Sequence, residues 1–163
     1  MLKGRPVHPT GDEWLSRVTG SREFDMLREI ALWWRCFQIS AQCRYTSRLL
    51  ERLRCFEQLV AAYFESRATP PYIERLAYEF LDSLATHPDE FIRAVAASEA
   101  ALETLRIPGS RAVEVVWDRN PDLVFGALEN REPMPGIDFE YSYRLRIGHE
   151  IPGTVECVRT PRM

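Results

Sequence analysis

Phe139-Glu140-Tyr141-Ser142-Tyr143-Arg144-Leu145-Arg146-Ile147 alternates large apolar with polar side chains along its whole length. A period of two puts the apolar set on one face of an extended chain and the polar set on the other. The stretch therefore predicts a strand of about ten residues with one buried and one wet face. Downstream, Pro152-Gly153 supplies a turn, and Thr154 to Arg159 supplies a further strand with Val155 and Cys157 on one side, so the two form a hairpin. Upstream, Val113, Val115 and Trp117 alternate across Glu114 as another strand. Asn120-Pro121 then opens a short helix through Leu123, Val124, Ala127 and Leu128, which Pro133 and Pro135-Gly136 close.

Before Pro108 the period changes from two to that of a helix. Ile73, Leu76, Ala77, Phe80, Leu81 and Leu84 recur at i, i+3, i+4, i+7, i+8 and i+11, with Thr69 as N-cap and Pro70 at the first helical position. Thr86-His87-Pro88-Asp89 resembles a capping box ahead of a helix through Phe91, Val95 and Leu102 to about Leu105. Arg22 to Arg67 contains neither proline nor glycine and reads as one very long helix or two joined by a tight turn, the break falling at Gln38–Gln42. Ser21 caps its start, with Glu23 and Asp25 in the first turn. Leu49, Leu53, Phe56, Val60 and Tyr63 form one amphipathic face in its second part. Residues 1–20 read as loop with one helical turn near Trp14. The expected fold class is α+β: a helical domain over 1–107, then a three-stranded β-α-β-β unit over 108–163. Three short strands and one helix do not bury themselves, so that unit docks on the helices.

A chain of 163 residues suits one domain, or a helical body with a small sheet unit appended. No apolar run reaches the roughly 20 residues of a membrane span, and the N-terminus lacks a signal-peptide core, so a cytoplasmic location is expected. Residues 1–70 carry eleven Lys/Arg against eight Asp/Glu, and residues 71–163 ten against sixteen. A net charge of −3 opposes a general nucleic-acid binder, whose footprint is strongly basic. The four cysteines, Cys36, Cys43, Cys55 and Cys157, include no C-x-x-C pair and read as reduced packing thiols.

Catalytic signatures are missing from the sequence. His8, His87 and His149 stand in three unrelated contexts, and there is no phosphate loop, dinucleotide fingerprint or H-E-x-x-H. Glu74, Glu79 and Asp82 read as the solvated face of a helix. Arg44, Arg48 and Arg52 recur every four residues, and such like-charged neighbours mildly disfavour an isolated helix. They are candidates for contact with a partner or acidic ligand; pairing with this chain's own acidic half is the plainer alternative. In a three-stranded sheet two strands are edges, and an uncovered edge accepts an added strand. The alternating Phe139, Tyr141 and Tyr143 suit side-chain pockets for such a strand, and suit an ordinary core as well.

One resemblance follows from the order of these segments: Tyr63-Phe64, then Thr69-Pro70-Pro71-Tyr72-Ile73-Glu74-Arg75-Leu76-Ala77, then Val115-Val116-Trp117-Asp118-Arg119-Asn120-Pro121-Asp122 and a final hairpin. Over about residues 56–160 this layout resembles the partner proteins of multinuclear non-haem iron-dependent oxidases. Those oxidases modify cysteines in ribosomally made peptides, as in 3-thiaglutamate and methanobactin biosynthesis. The resemblance implies a non-catalytic subunit with a winged-helix-like recognition element, in a heterodimer with a barrel-fold oxidase. The subunit binds the precursor's leader, and the iron belongs to the partner, with no cofactor in this chain. On that reading Val113, Val115, Trp117, Tyr141, Tyr143 and Arg144 bind the peptide. The apolar load of the N-terminal half, Trp33 and Trp34 included, exceeds what one helix buries on one side and fits a partner surface.

Two other readings are a winged-helix DNA-binding regulator and a small enzyme with a dispersed carboxylate site. The helix from Pro121 to Glu129 contains Asp122 and Glu129 and no Arg or Lys, which opposes the first.

Overall fold

The computed structural model describes residues 11–66 and 73–162. The fold is α+β, with the helices first. In chain order it contains α1 (Gly11–Thr19), α2 (Arg22–Gln42), α3 (Arg44–Arg52), α4 (Phe56–Ser66) and α5 (Ile73–Ser83). A 3-10 turn (Leu84–Thr86), α6 (Glu90–Thr104), β1 (Val113–Trp117), α7 (Pro121–Asn130), β2 (Tyr141–Ile147) and β3 (Val155–Pro161) follow. The Thr69–Pro70 cap and His8 lie outside the described residues. None of the described helices is long and apolar enough to cross a membrane.

The glycine- and proline-free run is three helices rather than one or two. Ser21 caps α2 as its type requires, its hydroxyl accepting from Phe24 N. The first break is at Cys43, one residue past the expected patch. There Cys43 N still donates to Ile39 O, but Tyr45 N and Thr46 N, in the first turn of α3, donate to the two carboxylate oxygens of Glu99 on α6 at 2.8 and 2.7 Å. A buried carboxylate thus takes two orphan amides and meets the positive end of the helix dipole. The second break is a Schellman turn: Cys55 N donates to Leu50 O and Arg54 N to Glu51 O, with Arg54 left-handed at φ 57°. Leu53 sits on that turn and is exposed, so it leaves the apolar face to which its spacing assigned it.

Three other expectations change in detail. The turn near Trp14 is a full helix, α1. Asp89 itself is the N-cap of α6, accepting from Phe91 N and Ile92 N, while Thr86 ends the 3-10 turn. The long strand begins at Tyr141, because the Asp138 carboxylate accepts from Glu140 N and Tyr141 N and turns the chain; Phe139 is left 80% exposed. Asn120 and Pro121 start α7 as N-cap and first helical residue.

The sheet is antiparallel with order β1-β2-β3, and α7 is inserted between the first two strands. One apolar core runs from Ile39, Leu50 and Val60 through Phe80 and Val95 to Trp117, Leu128 and Leu145. Trp117 is its centre, edge-on to Phe91 and Phe125, with Nε1–H donating to the buried Ser98 hydroxyl at 3.2 Å.

Candidate peptide-binding groove

The sheet has two edges, and the ladder shows which main-chain groups each offers. Gly148 N donates to Thr154 O, and Arg162 N to Glu140 O, at the two ends of the β2–β3 hairpin. Hydrogen-bonded pairs recur at every second residue of an antiparallel ladder. The even-numbered residues of β2 therefore bond to β3, and Tyr143, Leu145 and Ile147 bond to Trp117, Val115 and Val113 on β1. It follows that Glu114 and Val116 direct their N–H and C=O outward from the β1 edge. On β3 the outward set is Val155, Cys157, Arg159 and Pro161, and a proline there suits an edge.

The two edges differ in surroundings. Beside β1 runs a trough of about 670 Å³ between the strand, from Val113 to Asp118, and the helical layer. Ala94 and Ala97 of α6 and Ala85 of the 3-10 turn line its helical side. Alanines spaced by three lie on one face of α6 and present only short side chains to the trough. Arg93 and Arg162 stand in the lining, both already engaged: Arg93 donates to His87 O, Pro88 O and Glu90, and Arg162 to Tyr141 O and Asp118 O. The residues of β3 are mostly exposed, and none of them lines this trough.

Of the residues singled out from sequence, Val113, Val115 and Trp117 line the trough. The other three are on the central strand. Tyr143 is buried with its hydroxyl on Asp138 at 2.6 Å, Tyr141 lies beneath the Arg159 guanidinium, and Arg144 pairs across the wet face with Glu114 at 3.4 Å. The Tyr143 hydroxyl holds the Asp138 carboxyl below the usual range. Glu114, across which β1 alternates, was already a candidate edge position for a proline test; Val116, Ala94 and Ala97 were not singled out, and the signal for the alanines was their i, i+3 spacing on α6.

The arginine row is occupied within the chain. Arg48 Nη1 donates to Leu128 O and Glu129 O at 3.1 and 3.0 Å. Arg52 donates to Ala127 O at 3.1 Å and Glu132 O at 2.6 Å, and Arg44 pairs with the Glu129 carboxylate. Three cations thus close the C-terminal end of α7, where unpaired carbonyls and the negative dipole end favour positive charge.

Among the described residues, no three His, Cys, Asp or Glu side chains gather in a set that could hold a metal ion. His87 Nδ1 accepts from Asp89 N, and His149 Nε2 lies 3.2 Å from Ile107 O. Burial pushes the Cys36, Cys43, Cys55 and Cys157 thiols up, away from the depressed values of nucleophilic cysteines.

A second surface stands out on α2. Met26, Leu27, Ile30, Trp33, Trp34 and Phe37 fall on one face of the helix and are each more than half exposed, with Trp14 and Leu15 of α1 exposed as well. Trp33 and Trp34 each stack on Phe37, at 5.9 and 5.5 Å between ring centroids, and are tilted against each other at 6.3 Å.

Comparison of the chain with protein-family models, curated proteins and solved structures gives no match.

Proposed function

We propose that this chain is a non-catalytic partner subunit that holds an extended peptide as an added strand on the β1 edge. The bound peptide is the leader of a ribosomally made precursor, whose cysteine-bearing end is presented to an iron-dependent oxidase. The observation that carries the reading is the outward row of main-chain groups at Glu114 and Val116, facing an alanine-lined trough. Backbone hydrogen bonds along such an edge give affinity without a fixed sequence, and the trough adds side-chain selection.

The α2 face supports a protein partner. Large apolar side chains carry roughly 150–250 Å² each, so the six half-exposed residues of this helix face leave on the order of 600 Å² of apolar surface open. That is at the upper end of the ~300–600 Å² largest patch of an ordinary monomer and is most of what one side brings to a standard interface. We assign it to the oxidase.

Proline on β1 tests the peptide half. Glu114→Pro and Val116→Pro each remove an outward donor and leave the ladder to β2 intact. Ser142 and Arg144 on β2 bond to β3, so proline there breaks the sheet instead. A labelled cysteine-containing precursor peptide should bind the parent and lose affinity for both β1 variants, with circular dichroism unchanged. Equal binding by folded variants removes the reading.

A further inference from the structure

Past Val113 the trough continues into a second cavity of about 210 Å³, with which it shares Ala85, Ala97 and Val113. We propose that this cavity is an anchor pocket for one large apolar side chain of the bound peptide. The ligand is then an extended segment ending its paired stretch in a leucine-, methionine- or phenylalanine-type residue. The proposal rests on the strand-addition reading above and names the class of peptide it selects.

Three observations carry it. The lining is mainly apolar: Leu81 and Tyr78 of α5, Ala97, Ala100 and Ala101 of α6, and Val113 of β1. Asp82 and Thr104 add polar atoms, and the Thr104 hydroxyl is engaged with Ala101 O at 2.7 Å. The volume fits, since a closed apolar cavity of ~150 Å³ takes a benzene ring. The position also fits. Residues of an added strand point alternately into and out of the trough at roughly 3.3 Å per residue, so an inward residue just beyond Val113 falls over the cavity. Tyr78, 49% exposed at its wall, then gains an apolar neighbour.

Random short peptides displayed on phage, panned on the full chain, test this without a known ligand. Clones that bind the parent and lose binding to Val116→Pro are the strand-adding set. These clones should share a large aliphatic or aromatic residue at one end of a β-prone stretch. In a fluorescein-labelled synthetic copy, replacing that residue with alanine should weaken binding at least about tenfold. Ala100→Leu, which fills the cavity from α6, should weaken the parent peptide by a similar factor and leave the alanine peptide unchanged. Tyr78→Ser removes the exposed wall with little risk to the fold and should reduce the same preference. Val116-dependent clones without a bulky apolar residue, or a preference that survives both variants, overturn the anchor while strand addition stands. If no clone depends on Val116, strand addition itself fails and the anchor with it.

Discussion

Replacing Arg48 with methionine keeps the length and apolar stem of the side chain and removes its two bonds to Leu128 O and Glu129 O. Hydrogen bonds to a charged group are each worth about 1.5–3 kcal/mol when protected, and a cation at a helix C-terminus adds about 0.3–1 kcal/mol. The bond to Leu128 O is part-buried and that to Glu129 O is exposed, so water replaces much of the loss, and the net cost is about 1–2 kcal/mol. Arg52→Met removes bonds to Glu132 O and to Ala127 O, and Ala127 O keeps the backbone amides of Arg131 and Glu132, so its cost falls at the low end of that range. Arg44→Gln removes one ion pair whose side chains are 52% and 40% exposed, which is worth under about 0.5 kcal/mol. In urea unfolding, with a slope near 2 kcal/mol/M, Arg48→Met and Arg52→Met should each lower the midpoint by about 0.5–1 M and Arg44→Gln by less than about 0.3 M. A midpoint unmoved by Arg48→Met, or an Arg44→Gln loss as large as either, refutes the clamp on α7 and returns the row to an external acidic ligand.

Two further outcomes follow from named contacts. Glu99→Gln leaves one acceptor for the two amides of Tyr45 and Thr46, so it should destabilise the chain by about 1–3 kcal/mol by urea titration. Burial raises the Glu99 carboxyl above its ordinary value, against the lowering by the Tyr45 and Thr46 amides, so only between the ordinary and the raised value does the native state hold one proton more than the unfolded chain. That contribution is complete below the ordinary value and fades as pH rises through the raised one, and Glu99→Gln should remove that slope. Trp33→Ser with Trp34→Ser should leave the unfolding free energy within about 0.5 kcal/mol of the parent's, since both rings are more than half exposed, yet abolish co-elution with the proposed oxidase partner. A parent chain that elutes as a dimer by itself, with no added enzyme bound, assigns the α2 face to a second copy.

The β unit was legible because each of its parts carries a local cause. Period-two alternation marks β1 and β2, and Asn120-Pro121 encodes both the cap and the first residue of α7. The helix breaks were not, because their causes are remote or unusual. The amides of Tyr45 and Thr46 are capped by Glu99, over 50 residues away in sequence, and Arg54 takes a left-handed turn without glycine. Phe139 kept the rhythm of β2 yet falls outside it, since the Asp138 carboxylate turns the two residues that follow. The candidate site was half legible. Alternation on β1 marked Val113, Val115 and Trp117, but which edge faces a trough depends on strand order and on where α6 packs. Tyr141, Tyr143 and Arg144 lie on β2, and that this strand is central, with no free main-chain row of its own, depends on the strand order, which no local pattern encodes.

Hydrogen exchange read at single amides tests the claim that the β1 edge receives the peptide most directly. In the free chain the amides of Glu114 and Val116 point into the trough and should exchange fast, as should those of Val155, Cys157 and Arg159 on the β3 edge. With the cysteine-containing peptide bound, Glu114 and Val116 should slow by at least about tenfold while the β3 amides stay fast. Protection at Val155, Cys157 and Arg159 with Glu114 and Val116 unchanged contradicts the account, and places the added strand on the other edge of the sheet.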